Sequence, residues 1–183
     1  MTFDSITEDG RLWSVRYDGE DVNALFKALD QWNDVSWLRQ FFSANFDDLA
    51  TYFRITNLNQ AIYDTIDDAE KLECLIMDIS PDADLDAIFR PLENSRISEA
   101  MLSREKARLK NRQNHASWLR LYAIKLTKGV YIITGGAIKL TATMQEREHT
   151  LVELGNMEKV RRFLIDNGIV DEDGFADNLC ELE

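Results

Sequence analysis

The chain has little sulfur chemistry at its disposal. Its two cysteines, Cys74 and Cys180, are far apart and lack metal-ligand spacing, so free thiols in a reducing compartment are expected rather than a disulfide framework. Histidine is equally sparse, with only His115 and His149. Glu146 and His149 stand three apart and would share one side of a helix, but no second such pair and no HExxH accompanies them. No metal site is therefore expected. A glycine-rich phosphate loop and a GxSxG elbow are both missing, and neither cysteine has a partner for nucleophilic work. Hydrolase, kinase and dehydrogenase chemistry thus has nothing to stand on, and no small-molecule cofactor is implied. The acids of Asp82–Glu93 (DADLDAIFRPLE) fall at several positions of a calcium-loop frame, but the frame lacks the glycine that its sharp turn needs. No apolar run is long enough to span a bilayer, and MTFDSITEDG has neither the positive region nor the apolar core of a signal peptide. A cytoplasmic protein without a membrane partner is expected.

What is present fits a globular fold. The chain has 183 residues, of which 45% are hydrophobic and 10% aromatic, enough for one well-buried domain. Charge is divided unevenly. Residues 1–95 carry a net −13, residues 96–149 a net +7 and residues 150–183 a net −6. A positive segment inside an acidic protein either meets a polyanion or docks against acidic parts of its own chain.

The pattern begins with a strand over Arg11–Tyr17, ended by Asp18-Gly19. Three helices follow. Residues 20–32 align Val22, Leu25, Phe26 and Leu29. Residues 35–53, capped by Asp34, align Leu38, Phe41, Phe42, Phe46, Leu49 and Phe53. Residues 58–79, capped by Asn57 with Gln60 in the reciprocal position, bury Ile62, Ile66, Ala69, Leu72, Ile76 and Ile79. Their opposite face carries Asp64, Asp67, Asp68, Glu70 and Glu73, a stripe that is either simply solvated or turned toward the basic segment or an external basic partner. Ser80-Pro81 ends this helix, and Pro91 closes a short element with Leu85, Ile88 and Phe89. Residues 93–115 read either as a helix burying Ile97, Met101 and Leu102 or, over Arg104–Arg112, as a basic loop. Residues 118–126 and 130–141 form an antiparallel hairpin about Lys128-Gly129, with a bulge or bend at Gly135-Gly136. Thr143 and Glu146 then make a capping box, Gly155-Asn156 breaks the helix, and residues 157–166 continue to Asn167-Gly168. The acidic tail frays.

Alternation along the hairpin puts Leu119, Leu121 and Ala123 on one face and Trp118, Arg120, Tyr122 and Ile124 on the other. Ile138 and Leu140 likewise oppose Lys139 and Thr141. Two readings of the polar face stand: a surface that holds phosphate and stacks a base, or an ordinary solvated face. The wider cationic cluster comprises Arg120, Lys139, Arg147 and His149, with Arg104, Lys106, Arg108, Lys110, Arg112 and His115 just before the hairpin. Such groups can clamp a phosphodiester and stabilise developing charge, and an imidazole of pKa about 6.5 can move a proton. Equally, they can bind an anion without chemistry.

The run WLRLYAIKL, VYIIT, GGAIKLT and TMQEREHTLVEL resembles the RelE/ParE superfamily of bacterial toxins, and most closely its HigB, or phage Gp49-like, branch. There a strand ends in a Phe-x-Lys-Lys-Thr-like motif before a helix. Lys139 and Thr141 match its first lysine and its threonine, while Leu140 stands where the second lysine is common. FRPLE (Phe89–Glu93) is similar to the segment that leads into the family's central sheet.

The resemblance, mainly over residues 85–155, implies an α+β domain with a small antiparallel sheet packed against several helices. Residues 1–19 would supply the first strand, 20–92 an enlarged acidic helical part, 93–155 the toxin-like core and 156–183 a C-terminal helix and tail. It further implies a toxin component of a toxin-antitoxin system that cleaves mRNA on the ribosome and is covered by a cognate antitoxin. In that mechanism Arg120 and Lys139 hold the scissile phosphate, Arg147 assists and His149 transfers a proton. Tyr122 stacks a base, and Arg104, Lys106, Arg108, Lys110 and Arg112 grip RNA. The alternatives are a non-catalytic RNA- or protein-binding module, or gyrase poisoning as in the ParE branch.

Overall fold

The central hairpin is apolar on both of its faces, and everything else packs around that fact. The structure, a computed structural model, describes residues 1–92, 102–109, 115–141, 144 and 147–181, with only the backbone of residues 180 and 181. Its strands form one six-stranded sheet in the order β1-β2-β6-β5-β4-β3. These are β1 (Thr2–Ser5), β2 (Leu12–Arg16), β3 (Phe89–Pro91), β4 (Ser103–Ala107), β5 (Leu119–Thr127) and β6 (Val130–Ile138). The helices are α1 (Ala24–Asn33), α2 (Val35–Ala44), α3 (Phe46–Phe53), α4 (Leu58–Met77), the single turn α5 (Leu85–Ile88), α6 (Glu148–Asp166) and α7 (Glu172–Glu181). The architecture is α+β, as expected. The sheet is mixed rather than purely antiparallel, because β2 runs parallel to β6.

Two cores flank the sheet. Leu25, Leu29 and Trp32 of α1, Leu38 and Phe42 of α2, Leu49 of α3 and Ile62, Leu72 and Ile76 of α4 pack against Leu119, Leu121, Tyr131, Ile133, Ile138 and Leu140. On the other side Met157, Val160 and Leu164 of α6 and Phe175 of α7 cover Tyr122, Ile124, Leu126, Ile132 and Ala137. Each fully buried side chain of this size contributes roughly 1.5–3 kcal/mol. The Lys128-Gly129 turn closes the β5–β6 hairpin with Gly129 at a φ of 78°, a conformation that suits glycine.

The bulge falls one residue before the glycine pair. Tyr122 pairs with Gly135 and Ala123 with Ile133, so Thr134 is the extra residue in β6. Parity therefore changes along the strand. Tyr131 and Ile133 face the α1–α4 side before the bulge, and Ile138 and Leu140 face it afterwards. Gly136 lies where α1 crosses: a Cβ there would sit 2.8 Å from the Ala28 methyl and from the Trp32 ring.

Local capping chemistry accounts for several helix ends. Asp34 accepts from the Ser36 and Trp37 amides, and Asn57 from those of Asn59 and Gln60. Gln60 does not reach back to complete a box; it donates to Asp64 one turn on. The span expected as one helix over residues 35–53 is two, because the Asn45 side chain bonds the Phe41 carbonyl where α2 stops. Val22, Phe26 and Phe46, expected inside, are 42%, 39% and 37% exposed. Asp68, expected on the acidic stripe, is fully buried in the α4 row that faces the core.

Other differences follow from tertiary contact. The basic stretch at 103–107 is a strand, held between β3 and β5. Residues 93–101 and 110–114, and with them Ile97 and Met101, lie outside the described residues, as do Thr143 and Glu146 of the expected capping box. Gly155-Asn156 does not interrupt α6. A mid-helix glycine costs about 1 kcal/mol, less than the buried row at Met157, Val160 and Leu164 returns. The tail is helical because the ring of Phe175, 2% exposed, meets those of Phe3 and Trp13 edge-on. In the span that mimics a calcium frame, Asp84 caps α5. Asp86 accepts from the Tyr131 hydroxyl at 2.5 Å, from Lys125 at 2.9 Å and from the Gly129 amide at 3.3 Å.

Two outcomes test this packing. Gly136→Ala should lower stability by about 2 kcal/mol or more in urea denaturation, since neither the Ala28 helix nor the Trp32 ring can withdraw freely. Burial alone would raise the Asp86 carboxyl, but its bonds from Tyr131 and Lys125 outweigh this and hold it below its ordinary value. A depressed folded pKa stabilises above the unfolded one and is lost as pH falls through the folded one. Asp86→Asn should therefore cost about 1–2 kcal/mol at pH 7, and the gap to wild type should close as acid titrates the native carboxylate.

Candidate anion-binding site

With both sheet faces covered, charge collects at the end of the sheet where β4 and β6 finish and β5 begins. Along β4, Glu105 and Ala107 are buried, at 1% and 0% exposure. Arg104 and Lys106 alternate with them onto the side of Ile124 and Tyr122, their partners in register. Arg108 follows on the same side and is exposed. Arg120 enters from β5 opposite Ala137. Lys139 lies just beyond β6, its amide bonded to the Trp118 carbonyl at 2.8 Å. Arg120 and Lys139 thus share a face, as alternation implies.

These cations feel one another. Lys106 is held below its ordinary value, first by burial and then by Arg120, Lys139 and Arg108. Its ammonium also donates to the Leu92 carbonyl at 2.8 Å. Arg120 is pushed down to about 10, mainly by burial and next by Arg108, with Tyr122 and Asp68 pulling the other way. Its Nη1 donates to the carbonyls of Ser117 and Leu119, both at 2.6 Å. These two bonds fix the guanidinium plane. Nε and Nη2 donate to no described residue, and the side chain is half-buried, so one edge of the fork is left without a partner among the described residues. Lys139 donates to the Thr141 carbonyl at 2.7 Å.

The other two residues expected to do chemistry are engaged by groups of their own chain. Arg147 forms a two-point ion pair with Asp48 of α3, with both contacts at 2.6 Å. His149 donates through Nε2 to the Ile138 carbonyl at 2.9 Å, and its ring meets Phe41 edge-on at 5.0 Å. Burial lowers its pKa, with Arg147 adding to that and the Ile138 bond opposing it. His149 senses Arg147 and Asp48, whereas Arg120 senses Arg108, Tyr122 and Asp68.

Tyr122 is fully buried beneath α6 and offers no face to a base. The expected stacking role is corrected accordingly: the face that carries Tyr122 has a helix over it. Lys110 and Arg112 lie outside the described residues. His115 is not part of the cationic face either. Its ring stacks on Trp118 at 4.4 Å, and Nε2 meets Asp64 of α4 at 3.0 Å. Arg147–Asp48 and His115–Asp64 show that part of the positive segment docks against the chain's own acidic helices.

Sequence reasoning passed over Glu153. It sits in the sheet-facing row of α6, and its Oε2 is buried over Gly135. The signal is present in the pattern: Thr150, Glu153, Met157, Val160 and Leu164 recur at three- and four-residue steps. Among the described residues no three His, Cys, Asp or Glu side chains gather as a metal site would require, and no helix is long and apolar enough to cross a membrane.

No family model, curated protein or solved structure matches this chain.

The Arg147–Asp48 pair ties the start of α6 to α3, and Asp48 is 9% exposed at its side chain. Asp48→Ala should cost about 1–3 kcal/mol in denaturant, an amount moderated because Arg147 is 45% exposed and can rehydrate. Anion binding at the sheet end should be unaffected, as isothermal titration with a polyphosphate would record.

Proposed function

We propose that this protein is a non-catalytic binding module that receives the backbone of a polyanion, an RNA strand, at the cationic end of its sheet. The observation that supports this is the guanidinium of Arg120. Two backbone carbonyls hold its plane, its remaining edge has no partner among the described residues, and it is electrostatically coupled to Arg108 and Lys106, which in turn senses Lys139. Such a fork matches two oxygens of one phosphate, and the surrounding like charge is relieved when an anion arrives. The net −13 of residues 1–95 repels a polyanion from the rest of the surface and so confines it to this end.

A second reading, the RelE/HigB-like toxin that cuts mRNA on the ribosome and is neutralised by an antitoxin, draws on Arg120 and Lys139 lying on one face. It also needs a proton carrier at that face. His149 is bonded to a backbone carbonyl and packed on Phe41, so the binding reading is preferred.

Fluorescence anisotropy with a labelled single-stranded RNA separates the two. Arg120→Gln should weaken binding about tenfold and reduce the salt slope by about one, with the RNA left intact and the fold unchanged by circular dichroism. Wild-type affinity in that variant would overturn the site. Growth arrest with mRNA cleavage, lost in both Arg120→Ala and Lys139→Ala, would favour the toxin. DNA damage without mRNA cleavage would point instead to a gyrase poison.

A further inference from the structure

Glu153 occupies a row of α6 whose other buried members are uncharged. Thr150, Met157, Val160 and Leu164 are buried in the same row, which lies on β6 and β5. The carboxyl is pressed onto the bulge so closely that a Cβ on Gly135 would lie 1.9 Å from Oε2. Oε2 is buried and accepts no hydrogen bond from a described residue, and Oε1 has one long contact, 3.5 Å from the Asn156 amide. Groups from several elements face it. Tyr17, just past β2, gives its hydroxyl to the Thr134 carbonyl at 2.7 Å. Tyr122 of β5 has a buried hydroxyl without a partner among the described residues. Lys27 of α1 is bonded to Glu20 at 2.5 Å and reaches Glu153 only through space. Lys159 of α6 lies over the Tyr17 ring at 5.2 Å. None of these supplies the hydrogen bonds that a buried carboxylate requires.

We propose that Glu153 is a proton-operated latch: neutral, it lets α6 lie flat on the bulge of β6, and on losing its proton it releases the first half of that helix from the sheet. Burial pushes this carboxyl up to about 7, against weaker opposing effects from Asn156 and Lys27. A raised folded pKa stabilises the closed form below the ordinary carboxylate range, and the effect is lost as pH rises through neutrality. The released segment is bounded. Arg147 and His149 remain fastened to Asp48 and the Ile138 carbonyl, and Met157, Val160 and Leu164 hold the second half. The latch does not depend on what binds at the sheet end.

Hydrogen–deuterium exchange on the full chain at pH 5.5 and 8.5, corrected for intrinsic rates, tests the latch. In wild type, peptides covering residues 148–157 should lose protection by about tenfold or more at the higher pH while β5 keeps its own, and in Glu153→Gln they should stay protected at both. Equal protection at the two pH values in wild type, or the same loss in Glu153→Gln, would overturn it. A carboxyl-carbon NMR titration of the unmutated protein gives a second reading. A Glu153 midpoint near neutrality is expected, and one near the ordinary 4.5 would sink the proposal.

Discussion

One extra residue in β6 governs how the two cores can coexist. Side chains alternate strictly along a strand, so a regular β6 that placed Tyr131 and Ile133 beneath α1–α4 would turn Ile138 and Leu140 away from them. Thr134 shifts the parity, and all four residues face the same core. The shift also brings Gly136 under Ala28 and Trp32, and Gly135 under Glu153. Two adjacent residues without side chains thus admit a helix closely on each face. Size is the reason for glycine here, because the positive φ values lie elsewhere, at Gly10, Gly19, Gly129 and Gly168.

Covering both faces of the sheet leaves its end as the place where cations can gather. Arg120, Lys106, Arg108 and Lys139 come from neighbouring strands, so backbone pairing, rather than any helix, sets their spacing. Other polar groups of this region are used for assembly. Arg147 and His115 fasten the sheet side of the molecule to α3 and α4 through Asp48 and Asp64, and Lys125 meets Asp86. Among the described residues, part of the positive charge of this segment is thus met within the fold, by Asp48 and Asp86, and part gathers at the sheet end.

Features controlled by near neighbours are legible in the amino-acid sequence alone. Asp34 and Asn57 cap helices through amides two and three residues away, Asn167-Gly168 ends α6, and Lys128-Gly129 turns the hairpin. Features controlled by distant residues are not. The SREKA segment of β4 has little strand character, and it is extended because β5 and β3 pair with it. Gly155 reads as a breaker, yet α6 continues through it because the sheet holds the residues beyond. Reading a break there also conceals the second cover over the hairpin, and with it the burial of Tyr122. At the site, alternation suffices to put Arg120 and Lys139 together. The partners of Arg147 and His149 have no signal in the local pattern, since they are an aspartate on α3 and a backbone carbonyl on β6.

The parallel alignment of β2 with β6 bears on how the chain is made. Leu12, Trp13 and Ser14 find their partners at Tyr131, Ile132 and Ile133, after every one of the first five helices has been synthesised. Until then α1–α4 have apolar rows and no sheet to lay them on. A nascent chain therefore exposes sticky surface until β6 has been made, a situation in which slow closure and capture by chaperones are to be expected. Ribosome profiling or force-based arrest reporters would see compaction late, once the last strand clears the exit tunnel.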